Sequence, residues 1–450
     1  MFRRLPLILA GFALGLAALA PSASADDFAT APDTPNVLVE VNNRLIAALA
    51  ETPVDRVEPV RDNILDTEIV GTGHTVGQVS VEVVPNADVA VFDLLMTART
   101  DSQTVGYHGP VQLYSSNVSA ISARKRVWFD GRQLLAYSAY SANQTDSTLC
   151  DIETKFHHRM IDNFVRKAAY RKYDKSHAEA NWISEQHVNQ RVAAGLDRDA
   201  GAKLESANGD FERRVRGPLR NHTLYPERLS TRTTPTTLDV GARLAEPQPE
   251  PITPFPTVDP RSDAAVRVHQ SLLNAGATRA LAGKTYTQLQ FRTEFADLLG
   301  APKDTNLKQD VAITFAQRRP VEFAFDNNLA KVTIRGTKYL VHEENEDREL
   351  GPMNITATYK LEKTDLGFRA TRQGELEIYP PDFVKGRDKL TTSQVAQRRL
   401  LQRHLADSFQ ELFELDEIIL PDSLKRAGPL VPTQFQTTRG WLVLGVRRAG

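Results

Sequence analysis

The apolar residues in the first half of this chain change their period near Asp151, and that change limits the folds open to it. Before it, Val79, Val81 and Val83 alternate with Ser80 and Glu82, the period of a strand with one wet face. Pro85-Asn86-Ala87-Asp88 predicts a turn, and Val89–Thr97 the return strand. Segments at Val111–Tyr114 and Val118–Phe129, closed by Asp130-Gly131, extend the pattern into an antiparallel meander. After it, Ile152, Phe156, Met160, Phe164 and Ala168 recur at helical spacing. The helical pattern continues through Trp182 and Val192 to about Val215, where Gly217-Pro218 stops it. Gly195 and Gly201 predict breaks, hence two or three helices. Strands in one run and helices in another make an α+β fold.

The same order returns later in the chain. Val37–Ala50 reads as a helix ended by Pro53, and Asp263–Ala282 reads as another. Val311–Phe315 and Val321–Phe325 predict a hairpin, Leu329–Val341 a strand, and Ile355–Leu361 with Phe368–Ile378 a further hairpin. Thr391–Leu415 predicts a helix with Ser393 as N-cap, and Gly440–Val446 a last strand. Six prolines lie between Pro247 and Pro260, which marks a linker or an extended strap. The spacing of Val41, Leu45, Ile46 and Ala48 repeats in Val268, Leu272, Leu273 and Ala275. The expectation is two helix-plus-antiparallel-sheet units, related by internal duplication, with a helical segment between them. Their bounds are 37–150 and 263–450, with helices and a connection at 151–243 and the proline-rich strap at 244–262.

The N-terminus predicts export. Arg3 and Arg4 precede an uncharged apolar run, Leu5–Ala20, and Ala23-Ser24-Ala25 offers the small-x-small cleavage pattern. Residues 1–25 are therefore expected to be a signal peptide, and 26–36 a flexible mature N-terminus. The expected location is the periplasm or the extracellular space. No later segment is apolar for long enough to span a bilayer. Cleavage would leave 425 of 450 residues, enough for two or three domains. Losing Arg3 and Arg4 from 55 basic side chains leaves 53 against 56 acidic ones, a formal charge of −3. That near-neutral balance disfavours nucleic acid as a partner of the whole chain. Cys150 is the only cysteine, so no intramolecular disulfide is available, and it is expected to be a small buried hydrophobe.

Local motifs argue against most familiar chemistries. Gly71-x-Gly73-x-x-x-Gly77 has neither the spacing nor the strand-before, helix-after setting of a phosphate loop, so it predicts close backbone approach. His342-Glu343-Glu344 lacks the second histidine of a zinc protease motif. His157 and His158 are adjacent on a predicted helix and diverge by about 100°. No Gly-x-Ser-x-Gly elbow occurs. No catalytic residue is assigned, and neither cofactor nor metal is expected. One surface stands out. Lys155, Arg159, Arg166, Lys167, Arg171, Lys172 and Lys175 face only Asp162 and Asp174, with Tyr170 and Tyr173 interleaved. This run is either a solvated helix face or a surface for an anionic partner.

The Gly71–Val83 segment, the helices after Cys150 and the closing Gly440-Trp441-Leu442-Val443-Leu444-Gly445 resemble uncharacterised exported proteins of bacterial envelopes. The resemblance covers most of the mature chain and implies no activity. Helix-plus-curved-sheet units are also similar in architecture to tubular lipid-binding domains, a likeness that transfers no binding residues. The expected function is a non-enzymatic envelope protein that binds an apolar, lipid-like ligand or an envelope protein partner. The alternatives are a hydrolase acting on an envelope polymer and a structural or adhesive surface protein.

Overall fold

The computed structural model describes residues 34–245, 251–295, 311–342, 347–405, 408–415, 418 and 427–449. The expected signal peptide and most of the expected flexible N-terminus lie outside the described residues. In chain order the elements begin with β1 (Val37–Asn42), α1 (Asn43–Ala50), β2 (Thr52–Ile64), β3 (Thr67–Val84), β4 (Ala90–His108), β5 (Val111–Phe129), β6 (Leu134–Ala136) and β7 (Tyr140–Thr154). A long helix α2 (Arg159–Phe211) passes through a π-helical turn (Glu212–Arg216) into α3 (Gly217–Asn221). Then come β8 (Arg228–Thr233), β9 (Thr237–Arg243), β10 (Ala264–His269), α4 (Gln270–Leu281), β11 (Thr285–Thr287) and α5 (Gln288–Glu294). The remaining elements are β12 (Val311–Phe315), β13 (Val321–Asp326), β14 (Leu329–His342), β15 (Asp347–Leu350), β16 (Met353–Lys363), β17 (Phe368–Arg372), β18 (Glu377–Tyr379), α6 (Thr392–Leu405), β19 (Leu412–Leu415), β20 (Leu430–Thr438) and β21 (Trp441–Arg448). The fold is α+β. No described helix is long and apolar enough to cross a membrane.

The chain forms two compact units, both discontinuous in sequence. Of the described residues, the larger comprises those up to Leu45, Pro85–Ala90 and those from Asn208 onward; the smaller comprises Ile46–Val84 and Val91–Ala207. One sheet of the larger unit has the order β20-β21-β10-β1-β9-β8, all antiparallel. Its middle strands are buried on both faces: every residue of β10 is buried, as are Val37, Leu38, Val39 and Val41 of β1. This corrects the expected helices at Val37–Ala50 and Asp263–Ala282, each of which is a strand followed by a helix. A strand buried on both faces carries apolar residues in runs, as at Val37-Leu38-Val39 and Ala264-Ala265-Val266, and shows no period of two there, so its sequence resembles a buried helix.

A line of charge crosses one stretch of this sheet. Arg232 on β8 stands opposite Asp239 on β9, which stands opposite Glu40 on β1. Arg232 Nε donates to Asp239 Oδ2 at 3.1 Å, and Arg267 on β10 donates to Glu40. Burial pushes the Asp239 carboxyl up to about 7, against the opposing pull of the Thr237 hydroxyl and the Arg232 guanidinium; the Glu40 charge adds to the rise. The described part of the proline-rich strap lies on the same sheet. Pro256 O accepts from Arg267 Nη1 at 3.1 Å, Thr253 O accepts from Trp441 Nε1 at 3.1 Å, and the Phe255 ring packs on Trp441.

The second sheet of the larger unit runs β11-β12-β14-β16-β17-β19, with β13, β15 and β18 paired at its margins. β12 and β13 each pair with β14 and not with each other, which corrects the hairpin expected of them. The expected helix Thr391–Leu415 ends at Leu405, because Leu412–Leu415 pairs with β17 as a strand. Its cap is Thr391, not Ser393: Thr391 Oγ1 accepts from Gln394 N while Gln394 Oε1 accepts from Thr391 N. Phe315, Phe323, Phe325, Tyr339, Ile355 and Leu401 belong to one packed core beneath this sheet.

In the smaller unit, β2, β3, β4 and β5 form a meander, and β7 and β6 both pair with β5. β7 runs on to Thr154, so the helix begins at Arg159 and not at Asp151. Cys150 lies on its outer face, exposed, which corrects the expectation of a buried thiol. α2 is a single helix of 53 residues that continues through Gly195 and Gly201. A Cβ at either glycine would meet nothing within 4 Å. The Gly195→Ala/Gly201→Ala chain is therefore expected to be stabler by about 0.5–1 kcal/mol per site, read from its urea midpoint.

Candidate functional site: the cavity of the smaller unit

The site originates in the curvature of the sheet. Gly71, Gly73 and Gly77 share one face of β3 because side chains alternate along a strand. A Cβ on Gly71 would lie 2.1 Å from Gln103 O and 2.8 Å from Thr104 Cα. One on Gly77 would lie 2.2 Å from Thr97 O and 2.5 Å from Ala98 Cα. β3 thus closes onto β4 on its inner side, at the two positions where only hydrogen fits. The glycine pattern is a bending device.

α2 fastens both free margins of this curved sheet. At β2, Arg191 Nη1 donates to Arg61 O at 3.2 Å and Nη2 to Asp62 Oδ2 at 2.6 Å, while His187 Nδ1 meets Asp62 Oδ1 at 2.8 Å. At β7, His177 Nε2 donates to Ser147 O at 3.0 Å, Thr145 N donates to Glu185 Oε1 at 2.9 Å, and Asn143 Nδ2 donates to Glu185 O at 3.1 Å. Asp197 accepts from Ala139 N at 2.8 Å and from the Lys125 ammonium. Side chains of one helix therefore satisfy the backbone groups that edge strands leave open.

Between sheet and helix lies a cavity of about 580 Å³. Small inward side chains leave this space. On β4 they are Thr100, Ser102 and Thr104; on β5, Ser115, Asn117 and Ser119; on β7, Thr145 and Ser147. The inward residues of the larger unit's second sheet are apolar, with large ones such as Phe315, Phe325, Tyr339 and Ile355 among them, and they form a packed core. The lining changes character along its length. Ile64, Leu65, Ile69, Val111, Leu113 and Val165 make an apolar region near the β2–β3 and β4–β5 turns. Farther along β3, β4 and β5 the walls carry hydroxyls that bond one another: Thr75 to Thr100 at 2.7 Å and Ser119 to Thr145 at 2.8 Å. Asn117 donates to Thr104 Oγ1 at 3.1 Å. Each of these bonds meets part of the polar demand of the side chains it joins.

The charged lining residues are engaged or exposed. Asp62 is held by Arg191 and His187, Lys172 Nζ donates to His108 Nε2 at 3.0 Å, and Glu58 is exposed on β2. No pair of unengaged carboxylates faces the cavity among the described residues. No group of three or more His, Cys, Asp or Glu among the described residues is arranged to hold a metal ion.

Of the sequence-derived surface, Lys155 precedes α2 and the other six residues lie on its first turns. Arg166 donates to Asp151 Oδ1 at 2.8 Å, and Lys172 contributes to the cavity rim. Lys155, Arg159, Lys167, Arg171 and Lys175 are exposed and form no ion pair with the described residues. Sequence reasoning missed the cavity walls. Their signal was a small polar residue at every second position, Thr100-x-Ser102-x-Thr104 and Ser115-x-Asn117-x-Ser119.

The fold and the cavity define an α+β protein with a helix-strapped, curved antiparallel sheet around a partly open space whose charged lining residues are engaged or exposed. No protein-family profile matches the chain, and no curated protein matches it. Three solved structures each align over 92% of it. A lipopolysaccharide binding protein aligns over 99% of its own length, at 11% identity and a TM-score of 0.33. P47 from Clostridium botulinum A2 aligns over 97% at 8% identity and a TM-score of 0.26, and P47 of Clostridium botulinum E1 over 98% at 8% and 0.25. Similarity this low assigns neither fold nor ligand to this chain.

Proposed function

We propose that this protein is an exported, non-enzymatic carrier that holds an apolar or amphipathic, lipid-like ligand in the cavity of its smaller unit. The observation that carries the reading is the cavity itself: about 580 Å³, within the size range of small-molecule sites, apolar at one end, walled farther in by small hydroxyl side chains of which some bond one another, with its charges engaged or exposed. An apolar chain gains by leaving water for such walls, at roughly 25 cal/mol per Å² buried. Export to the periplasm or beyond is part of the proposal and rests on Arg3, Arg4, Leu5–Ala20 and Ala23-Ser24-Ala25.

Filling the space tests it. Ala169 and Ala180 line the cavity from α2, and Ala194 is exposed on the same helix outside it. Ala169→Trp or Ala180→Trp is expected to lower the affinity for a fluorescent long-chain fatty acid at least about tenfold, the loss of a few buried methylenes. Ala194→Trp is expected to leave it unchanged. Equal binding by all three chains would place the probe elsewhere and refute the reading.

Internal duplication belongs to the same proposal. Residues 37–243 run strand, helix, meander, helix, hairpin (β1, α1, β2 to β7, α2, β8–β9); residues 264–448 run β10, α4, strands β11 to β18 with the short α5 among them, α6, β19 and the hairpin β20–β21, the strands between α4 and α6 forming a sheet that is not a meander. The sheet order β20-β21-β10-β1-β9-β8 is symmetric about the β10–β1 pair, each half giving its first strand and its last hairpin. An experimental structure with a different strand order in the two halves would refute it.

A further inference from the structure

The apolar spacing that the sequence shows at the start of α2 does not enter a core. Met160 is 77% exposed and Phe164 76%, and Trp182, farther along the helix, is 61% exposed. They belong to a single stripe: Met160, Phe164, Lys167, Arg171, Lys175, Ala178 and Trp182 follow one another at intervals of three or four residues, the spacing of one helix face. The cavity takes other residues of the same helix, among them Val165, Ala169, Tyr173, Ser176 and Ala180. The stripe is thus an outward face, about 33 Å long at 1.5 Å per residue. Large apolar side chains stand at its ends and three cations in its middle.

We propose that this face of α2 docks on an anionic lipid bilayer. Lys167, Arg171 and Lys175 form no ion pair with the described residues, and Lys155 and Arg159 add charge near the Met160 end. The acidic groups around the stripe are fewer. Asp174 and Glu179 flank it, Asp162 accepts from the Thr154 hydroxyl, and Asp151 on β7 is taken by Arg166. Cations alone would suit any polyanion. Exposed Met, Phe and Trp on the same line are what a bilayer interface adds, since their apolar bodies enter the headgroup–acyl boundary while lysine and arginine meet phosphate. A second copy of the helix is disfavoured as the occupant, because three like charges would meet at the centre of the seam. The surface is argued without reference to what the cavity holds.

The test uses the full mature chain with vesicles of phosphatidylethanolamine and phosphatidylglycerol, and with neutral phosphatidylcholine vesicles. Co-sedimentation and the shift in tryptophan emission that is lost in a Trp182→Phe chain are the readouts. The wild-type chain is expected to sediment with anionic vesicles with a blue shift of emission, and to bind neutral ones at least roughly tenfold more weakly. Met160→Ser/Phe164→Ser and Lys167→Glu/Arg171→Glu each change only exposed side chains, and unchanged far-UV circular dichroism confirms folding. Each pair is expected to reduce vesicle binding at least roughly tenfold. No sedimentation of the wild type, or binding indifferent to both pairs, overturns the proposal. So does binding that survives the serine pair and is abolished by soluble polyphosphate, which marks a polyanion surface. Concentration-dependent dimerisation through the stripe with no vesicle binding overturns it as well.

Discussion

A Gly77→Val chain is expected to lose the cooperative unfolding transition of the smaller unit, or to show it destabilised by about 3 kcal/mol or more. The first atom added at this position would lie 2.2 Å from Thr97 O and 2.5 Å from Ala98 Cα. Those are backbone atoms of the paired strand, so no rotamer change relieves the clash. β3 must separate from β4 or the sheet must flatten. Flattening also opens the cavity, because the same bend lets one helix reach Asp62 on β2 and Ser147 on β7. Gly71→Val is expected to act alike. Urea unfolding followed by far-UV circular dichroism reads both, with the stabilised Gly195→Ala/Gly201→Ala chain as the control of opposite sign.

The second large effect is expected in the larger unit and depends on pH. Arg232→Met leaves the fully buried Asp239 without its guanidinium. Breaking a buried ion pair from one side costs about 3–5 kcal/mol when the remaining charge persists. Asp239 need not keep its charge. Its carboxyl already titrates near 7 in the folded chain, and losing Arg232 raises it further. The cost is therefore expected in full at pH 8 and to be much smaller at pH 5, where the carboxyl is protonated.

The wild-type chain carries the related signature. Between its ordinary value of 3.8 and about 7, the raised carboxyl binds a proton in the folded state that the unfolded state has released. Stability from this group is fully present below about pH 4 and is lost as pH rises through about 7, with a slope approaching about 1.4 kcal/mol per pH unit in between. Asp239→Asn is expected to remove that slope. Equal destabilisation of Arg232→Met at pH 5 and pH 8 would contradict this account of the charge line.

Much of the fold was legible where one face of a strand meets water. Val79 to Val83, Leu329 to Val341 and Ile355 to Leu361 alternate because one side of each is wet, and all three lie within observed strands. β1 and β10 were not legible. Strands buried on both faces lose the alternation that distinguishes them from helices. Met160 and Phe164 misled in the opposite way, since helical spacing shows that residues share a face but not whether protein or solvent lies against it. Their exposure became informative only beside the cavity-facing side of the same helix. The cavity was written in the sequence as small residues at alternate positions. Local reading could not say that those positions from β4, β5 and β7 converge, because partner choice in a sheet is a long-range property. The glycine motif was legible as close approach; that it closes β3 onto β4 required the register.

The central claim is that the smaller unit carries a lipid-like ligand. Native mass spectrometry of the protein purified after export from its own host, followed by solvent extraction, tests it most directly. The account expects a polypeptide beginning at Asp26, an additional mass bound to the intact chain, and an apolar or amphipathic compound in the extract. The Ala169→Trp chain, purified in the same way, is expected to lack that mass. An exported wild-type chain that flies with no adduct and yields no such compound would contradict the claim.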